Sequence, residues 1–377
     1  MSVPKKILVT GGPVHAYLDA VKVVTNRFRG GLMASLAHNL HLKNCEVVYL
    51  TAIKYPVPDL HAIKIIYHDG FEDYKQLVLE LAPQMDAVVL GAAVANLIPL
   101  HPIEGKFPSH NYKPGDVIPI DFTIAPRIID EVKKVAPKTH LFGFKLLKDV
   151  SHEELVRSAY GVLIESKATA VFANDASNLD SICMITKERA EHPMKRRYIH
   201  EIISNFLTDE YYHTNSIPTA ASSNLELRQL LNRFQPFWKP TAEEYIFGTV
   251  ALRDSAGGFY TTTRGKNEIN SQAHVFSVNH ENRTVCSSDK ATLNAPLLDY
   301  IFKTNPKINA IVHLHKQIDE LHTLSYAPPG TIRDSIRDVK SSFNIENHGC
   351  FLLLSGDKIK GLEINIEDFV RLHGELM

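Results

Sequence analysis

Short apolar runs alternate with amphipathic stretches over the first 210 residues. Strands are predicted at 7–10, 46–51, 63–66, 87–96, 141–144 and 170–175, and helices at about 31–42, 74–81, 153–166 and 199–207. Strands that are apolar throughout are typical of a parallel sheet covered by helices on both faces. The alternation of strand and helix therefore predicts an α/β domain.

A second pattern follows a stretch without periodicity at 209–222. Strands are predicted at 245–252, 258–262, 273–278, 308–313 and 351–354, and helices at 223–235, 292–303 and 334–341. This order is typical of an α+β domain. We predict a first domain at 1–211, a linker at 212–222 and a second domain at 223–377.

Composition narrows the class of protein. The chain has 377 residues, 22% of them charged, and a formal net charge of −1, which gives no electrostatic case for nucleic acid or an anionic membrane. Its four cysteines are scattered, which fits a reducing compartment. No apolar run reaches the roughly 18 residues of a membrane span, and no signal-peptide pattern opens the chain. We expect a cytoplasmic protein with small-molecule substrates.

Two glycine pairs bracket the first strand and the first helix. Gly11 and Gly12 end the strand, and Gly30 and Gly31 open the helix, directly after Arg29. Glycines let backbone N–H groups approach an anion, and a helix N-terminus adds partial positive charge. The spacing is not G-x-G-x-x-G, so the ordinary dinucleotide fingerprint is absent. We predict a Rossmann-like domain that holds phosphate groups here.

Two further segments are expected near this loop. The strand at 87–96 ends in small residues, among them Ala92 and Ala93, followed by Asn96, and ligands lie at such ends in α/β sheets. Residues 97–119 hold five prolines and form a flap that carries Lys106. Read alone, Lys106 also fits a solvated lysine, and Asn26 also fits a turn or helix cap.

Residues 5–208 resemble the phosphopantothenoylcysteine synthetase family, also called phosphopantothenate–cysteine ligases. The segments that carry the resemblance, in the family's order, are VTGGPVHAYLDAVKVVTNRFRGG, GAAVAN, GKFPS, FGFKLLKD and VFANDAS. The resemblance implies that a carboxylate attacks the α-phosphate of CTP or ATP, with Mg²⁺ on the phosphates, and that pyrophosphate leaves. The amine of cysteine then displaces the nucleotide from the acyl-nucleotidylate, giving an amide of coenzyme A biosynthesis or of a related pathway.

The resemblance also assigns residues. Asn26 matches the asparagine that holds the acyl-phosphate intermediate, and Lys106 matches the flap lysine over the phosphates. The matched nucleotide-pocket positions are Gly11, Gly12, Gly30, Gly31, Ala92, Ala93 and Phe144, with Asn174 and Asp175 at the end of the last core strand. The chain departs from the family at Asn96, where the family has aspartate, and at Phe28-Arg29, where it has small hydroxyl residues.

Histidines provide the candidate chemistry of the second domain. His313 and His315 are two residues apart on a predicted strand and so face the same side. With His348 they would form a three-histidine site for Zn²⁺ or another divalent ion. The alternative is coincidence, since the chain has 19 histidines.

Residues 225–377 resemble the class II aldolase/adducin family, through FGTVALRD, GGFYTTTRG, INAIVHLHKQ and IENHG. The resemblance implies an α+β fold, metal at the three histidines and a homo-oligomer. The family's acid/base glutamate falls on Thr292, so retro-aldol cleavage is impaired unless Asp289 or Asp299 substitutes. The family's phosphate-binding asparagine falls on Thr249, for which 264–266 could compensate.

The leading interpretation is a nucleotide-dependent acid–amine ligase fused to a metal-binding aldolase-like domain. One alternative is a metal-dependent aldolase-like or epimerase-like lyase in the second domain. The other is a nucleotide-binding scaffold with a degenerate, adducin-like module.

Overall fold

A computed structural model describes residues 4–187, 191–217, 224–234, 246–266, 268 and 271–356. The chain divides into two compact units, unit 1 at Met1–Leu207 and unit 2 at Thr208–Met377. Each unit is considered by itself. Among the described residues, no helix is long and apolar enough to cross a membrane. The four cysteines are unpaired, and Cys45, Cys183 and Cys350 are buried.

Unit 1 is an α/β unit built on an eight-stranded sheet. Its strands are β1 Lys6–Thr10, β2 Pro13–Val14, β3 Ala16–Tyr17, β4 Val23–Val24, β5 Glu46–Ala52, β6 Lys64–His68, β7 Ala87–Leu90, β8 Ala93–Val94, β9 Leu97–Pro99, β10 Phe122–Ile124, β11 His140–Leu147, β12 Ala170–Asp175, β13 Asn178–Thr186 and β14 Glu191–Lys195. Its helices are α1 Gly31–Leu42, α2 Gly70–Leu81, α3 Ile129–Val135, α4 His152–Ser166 and α5 Ile199–Thr208.

The main sheet runs in the order β14-β13-β12-β11-β7-β1-β5-β6. The six strands from β12 to β6 are parallel, and β1 lies between β5 and β7 with four of its five residues buried. Apolar strands of this kind need cover on both faces, which the helices supply. The predicted α/β class with a Rossmann-like parallel sheet is confirmed.

The far edge of this sheet differs from the prediction. Beyond residue 175 the sequence pattern predicts no strand in this unit, but 191–195 form β14, which pairs antiparallel with β13. β14, at the edge, lacks the apolar run of the central strands, and β13 has one only in its second half, at 182–185. An edge strand needs only one buried face, so its sequence signal is weak.

Beyond the carboxyl ends of β1 and β7, the two backbone segments separate at the glycines and then pair again. β2 pairs parallel with β8, Pro13 opposite Ala93 and Val14 opposite Val94. Two small antiparallel pairs follow, β3 with β4 and β9 with β10. The Pro-rich flap at 97–119 begins with β9 and continues to just before β10.

Unit 2 is an α+β unit with a nine-stranded sheet, in the order β15-β19-β18-β17-β16-β20-β23-β22-β21. Its strands are β15 His213–Ser216, β16 Thr249–Arg253, β17 Phe259–Thr262, β18 Gln272–Asn279, β19 Thr284–Ser287, β20 Ile308–Leu314, β21 Thr323–Leu324, β22 Phe343–Ile345 and β23 Gly349–Ser355. Its helices are α6 Leu225–Phe234, α7 Ala295–Thr304 and α8 Ile332–Ser335. α7 contributes to one apolar cluster and α6 to another.

Two features of unit 2 correct the predictions. The segment expected as a linker contains β15, which pairs parallel with β19, while 218–222 lie outside the described residues. The backbone of Glu210 and Tyr212 is also bonded within unit 2, so this unit starts before the predicted position. The helix expected at 334–341 is only the four-residue α8. β15 lacked an apolar pattern because it is an exposed edge strand.

Candidate functional site

The two glycine pairs of unit 1 meet in space. Gly30 and Gly12 have positive φ values of 90° and 73°, and a methyl group on Gly30 would overlap the backbone of Gly12. A methyl group on Gly11 would overlap the phenol of Tyr49. L-residues avoid such φ values, so both the turn and the close approach require glycine. We call the surface formed by Gly11, Gly12, Gly30 and Gly31 the glycine cradle.

Helix α1 begins at this cradle. Gly30 is its N-cap, no side chain caps its first N–H groups, and its first turn holds no acidic residue. A methyl group on Gly31 would have no atom within 4 Å. The first N–H groups of a helix have no partner inside it, so this end offers donors and partial positive charge to an anion. Arg29, exposed beside it, adds a full positive charge.

The turn after β7 lies against the cradle. Ala93 donates its N–H to the carbonyl of Gly12 at 2.8 Å, and the Ala92 N–H donates to the hydroxyl of Thr10 at 3.2 Å. Asn26 donates its side-chain amide to the carbonyl of Val94 at 2.8 Å. The structure therefore brings Asn26, Ala92 and Ala93 together with the glycines. Asn96, exposed at the end of this turn, accepts a backbone hydrogen bond from Ala125.

Lys106 lies on the flap with its side chain exposed. Its Nζ makes no hydrogen bond or ion pair with any described residue, while its neighbours Gly105 and Phe107 are bonded to the segment that precedes Asn26. Phe107 donates its N–H to Asp19, a buried carboxylate that was not among the residues selected from the sequence. The sequence did contain a signal for Asp19, because the pair Leu18-Asp19 lies in the first of the segments that carry the family resemblance.

Three more predicted residues lie at the same edge of the sheet. Phe144 on β11 is half-buried and stacks on Phe172 at 5.2 Å between ring centroids. Asn174, on the neighbouring β12, donates to the carbonyl of Phe172 at 3.1 Å, and Asp175 accepts the N–H of Ser177 at 2.8 Å. Because β11 and β12 lie beyond β7 in the sheet, these side chains are further along the same edge than the cradle, which lies at β1.

The three histidines of unit 2 form one cluster. The ligand atoms of His313, His315 and His348 all lie within 4.8 Å of one another, and His313 and His348 are buried. The Nδ1 of His313 lies 2.9 Å from the carbonyl of Cys350, so Nδ1 carries the proton and Nε2 keeps a free lone pair. Nε2 has no partner in the described structure. A buried, unpartnered nitrogen beside two other imidazoles fits a divalent metal ion.

Burial keeps the imidazoles of His313 and His315 neutral, as metal binding requires. It lowers the pKa of His313 to about 4 and that of His315 well below 6.5. Lys266 lies close enough to lower both values further. Its own ammonium is buried, donates to the carbonyl of Gly248 at 2.6 Å, and has a pKa lowered by burial to about 8.

Thr292, the position that the resemblance of residues 225–377 assigns to an acid/base glutamate, carries a hydroxyl instead. The hydroxyl of Thr292 lies 2.9 Å from that of Thr249, which stands opposite His313 in the sheet. Asp289 is exposed and bonds the backbone of the next residue, and Asp299 binds His280 and Lys303. Asp299 is therefore engaged elsewhere, whereas Asp289 lies exposed at the surface.

The fold of unit 1, a largely parallel sheet with a glycine cradle at the carboxyl ends of its strands, defines a Rossmann-like α/β protein. The profile of the family described as "DNA/pantothenate metabolism flavoprotein C-terminal domain" matches residues 3–203, more than half of the chain. The chain belongs to this family, which confirms the recognition made from the sequence of unit 1.

Individual relatives cover parts of the chain. The "Coenzyme A biosynthesis bifunctional protein CoaBC" of Thermococcus kodakarensis is 29% identical over 171 residues, 45% of this chain and 41% of that protein. This chain thus spans less than half the length of that relative.

Two solved structures are also similar to parts of the chain. The DNA/pantothenate metabolism flavoprotein from Streptococcus pneumoniae is 24% identical with a TM-score of 0.48, covering 53% of this chain and 96% of that one. YgbL from Klebsiella pneumoniae, described as "a putative aldolase/epimerase/decarboxylase", is 16% identical with a TM-score of 0.30, covering 41% of this chain and 90% of that one.

Proposed function

We propose that unit 1 is a nucleotide-dependent acid–amine ligase that makes an amide of coenzyme A biosynthesis or of a closely related pathway. A carboxylate is a poor acylating agent, so the acid attacks the α-phosphate of CTP or ATP and pyrophosphate leaves. The amine of cysteine or a related compound then displaces the nucleotide. The observation that carries this proposal is the convergence of the glycine cradle, the Ala92–Ala93 turn and Asn26.

Each residue has a role in this reaction. The cradle and the start of α1 hold phosphate oxygens with backbone N–H groups, and Lys106 closes over them from the flap. Asn26 holds the acyl-phosphate group, and Phe144 with Asn174 and Asp175 lines the nucleotide side. Mg²⁺ supplies charge neutralisation on the phosphates when bound. Arg29 adds positive charge, and Asn96 no longer offers a carboxylate.

Family membership and the relative's name support 4′-phosphopantothenate and cysteine as the first substrates to test. The direct experiment measures pyrophosphate release with CTP or ATP, this acid and cysteine, and identifies the nucleoside monophosphate formed. Pyrophosphate release that needs the acid supports the proposal, and its rate with each nucleotide decides between CTP and ATP. Purified chain that releases none with either nucleotide would contradict it.

We propose a homo-oligomer in which a second copy covers the β9–β10 pair. Ile124 is 73% exposed, and Leu97 and Phe122 on the same pair are also exposed. Apolar side chains on a two-stranded pair with open edges favour pairing with an identical strand. Sedimentation of the wild-type chain against Ile124→Glu tests this, and a wild-type monomer would contradict it.

We also propose a cytoplasmic location, which the unpaired cysteines support.

A second candidate function rests on the histidine cluster. We propose that unit 2 binds Zn²⁺ or another divalent ion through His313, His315 and His348, whose nitrogens converge as neutral donors. Thr292 provides no titratable group, so an aldolase-like or epimerase-like lyase would lack its usual proton shuttle. A metal-binding module without retro-aldol activity therefore has the better support. Metal analysis of the purified chain, followed by retro-aldol assays on the loaded protein, tests both parts.

A further inference from the structure

The carboxylate of Asp19 is buried between two loops of unit 1. Its side chain accepts four hydrogen bonds in the turn between β3 and β4 and from the flap. The donors are the N–H groups of Val21 at 2.7 Å, Lys22 at 2.5 Å and Phe107 at 2.9 Å, and the ammonium of Lys22 at 3.0 Å. Only 2% of Asp19 is exposed. Two of these bonds close the turn, and the bond to Phe107 reaches a segment 88 residues away.

The flap is fastened to this turn on both sides of Lys106. The three bonds are those from Ile103 N–H to the Leu18 carbonyl at 2.8 Å, from Ala20 N–H to the Gly105 carbonyl at 2.8 Å, and from Phe107 N–H to the Asp19 carboxylate at 2.9 Å. Lys106 thus lies between two bonded neighbours while its own side chain remains free to reach a ligand. The bond on its carboxyl side depends on a single side chain, that of Asp19.

The same turn leads to Asn26. β3 and β4 pair Ala16 with Val24 and Tyr17 with Val23, and the chain then reaches Asn26 two residues later. Asp19 closes the turn that joins these strands. Its carboxylate therefore connects the backbone that presents Asn26 with the backbone that presents Lys106.

We propose that Asp19 is a positioning residue that holds Lys106 over the nucleotide phosphates at a fixed distance from Asn26. The inference rests on the proposed ligase function, and Asp19 acts through Lys106 without touching substrate. Burial alone would raise the pKa of Asp19, but hydrogen bonds from Phe107, Lys22 and Val21 outweigh burial and hold it well below its ordinary value. The carboxylate is therefore ionised, as an acceptor of four hydrogen bonds must be.

Asp19→Asn separates the two tasks of this side chain. One carboxylate oxygen accepts from Val21 and Lys22 N–H, and the other accepts from Phe107 and the Lys22 ammonium. An asparagine can keep its oxygen toward the turn, which leaves an NH₂ group facing the Phe107 N–H. Two donors facing each other cannot bond, so the turn persists while the flap loses this attachment.

The test is a double-mutant cycle on nucleotide-dependent pyrophosphate release. We expect Asp19→Asn to raise the KM for the nucleotide about tenfold in the wild-type background, and less than about twofold in Lys106→Ala. Equal effects in the two backgrounds would overturn the proposal, because Asp19 would then act independently of Lys106. The matched control is Asp86→Asn, an exposed carboxylate that accepts one backbone N–H from Lys6 at 2.8 Å. It should leave KM unchanged.

Two further readouts distinguish this proposal from the function on which it rests. Amide formation from preformed acyl-nucleotidylate and cysteine involves no triphosphate, so Asp19→Asn should leave its rate within about twofold of wild type. A matching loss in both half-reactions would indicate a general structural defect and overturn the proposal. Hydrogen exchange needs no substrate. The Phe107 amide should exchange slowly in the wild type and about tenfold faster in Asp19→Asn.

Fast exchange of Phe107 in the wild-type chain would overturn the attachment whether or not Asp19→Asn folds. If the wild type and Asp86→Asn both release no pyrophosphate, the ligase function has failed, and with it the proposed role on phosphates. In that case, slow exchange of the Phe107 amide would show that Asp19 does hold the flap, but that this attachment does not serve to place Lys106 over nucleotide phosphates.

Discussion

The glycine cradle of unit 1 and the histidine cluster of unit 2, the two candidate ligand sites, are built in opposite ways. The cradle consists of main-chain groups, and the polar side chains around it, Asn26 and Lys106, are exposed. The cluster consists of side chains, and two of its three imidazoles are almost wholly buried. A main-chain site should tolerate change in the neighbouring side chains, but not a methyl group on its glycines. A side-chain site has the reverse sensitivity.

The largest effect should come from the side-chain site. His313→Ala/His315→Ala should reduce bound zinc or manganese from about one equivalent per chain to a background value, because one remaining histidine cannot hold the ion. Elemental analysis after dialysis measures this. His322→Ala, an exposed histidine of the same unit, serves as the control and should retain the metal. Equal metal content in the double variant and the wild type would exclude these ligands.

Next in size is the loss of Asn26. Asn26→Ala should lower acid-dependent pyrophosphate release by about 10²- to 10³-fold, since a positioned amide donor at the phosphoryl oxygens disappears. Thermal unfolding should change little because the side chain is exposed. Asn111→Ala, another exposed asparagine of unit 1, should retain full activity. If Asn26→Ala were as active as that control, the ligase assignment of this loop would fall.

Two adjacent glycines give the sharpest test of a main-chain site. Gly30→Ala combines an unfavourable φ with overlap on Gly12, and we expect it to destabilise unit 1 by about 2–4 kcal/mol. Gly31→Ala meets no atom within 4 Å and should change stability by less than about 1 kcal/mol. Urea denaturation measures both. Similar stabilities for the two variants would mean that the glycines do not make the close approach described.

The smallest expected effect is on the pH dependence of stability and comes from His68, a buried histidine of unit 1. Burial lowers the pKa of His68 to about 4 in the folded chain, against about 6.5 when unfolded. Below pH 6.5 the unfolded chain binds a proton that the folded chain refuses, so this group removes stability as pH falls from about 6.5 to 4. Between pH 7 and pH 5 the loss is about 2 kcal/mol.

His68→Phe should remove this part of the pH dependence. Exchange of buried amides in β1 and β5, followed at pH 7 and pH 5 under mild denaturant, measures the change for unit 1. A wild-type and a variant chain with the same pH dependence would show that His68 titrates normally.

The sequence predicted the central strands and the glycine cradle because both leave a local signal. Apolar runs mark strands buried on two faces, and glycines mark backbone that other residues cannot adopt. The histidine pair was also local, since spacing of two on a strand places His313 and His315 on one face. The edge strands β14 and β15 left no such signal because solvent accepts almost any side chain there.

The attachment through Asp19 lay beyond sequence reasoning for another reason. Its partner Phe107 is 88 residues away, and nothing local distinguishes a carboxylate that closes one turn from one that also fastens a distant flap. Likewise, only the fold could reveal that Asp299 is bonded to His280 and Lys303. Periodicity reports burial, whereas long-range polar contacts depend on how the elements pack.

The renewed pairing of β2 with β8 beyond the glycines restricts where a residue can be inserted into the chain. The segments at 10–14 and 90–94 are joined before and after the gap, so inserting a residue in one alone would leave Pro13 or Val14 out of step with Ala93 and Val94. In a library of single-residue insertions, these two segments should reject nearly every member, while the exposed stretch at 113–117 accepts most.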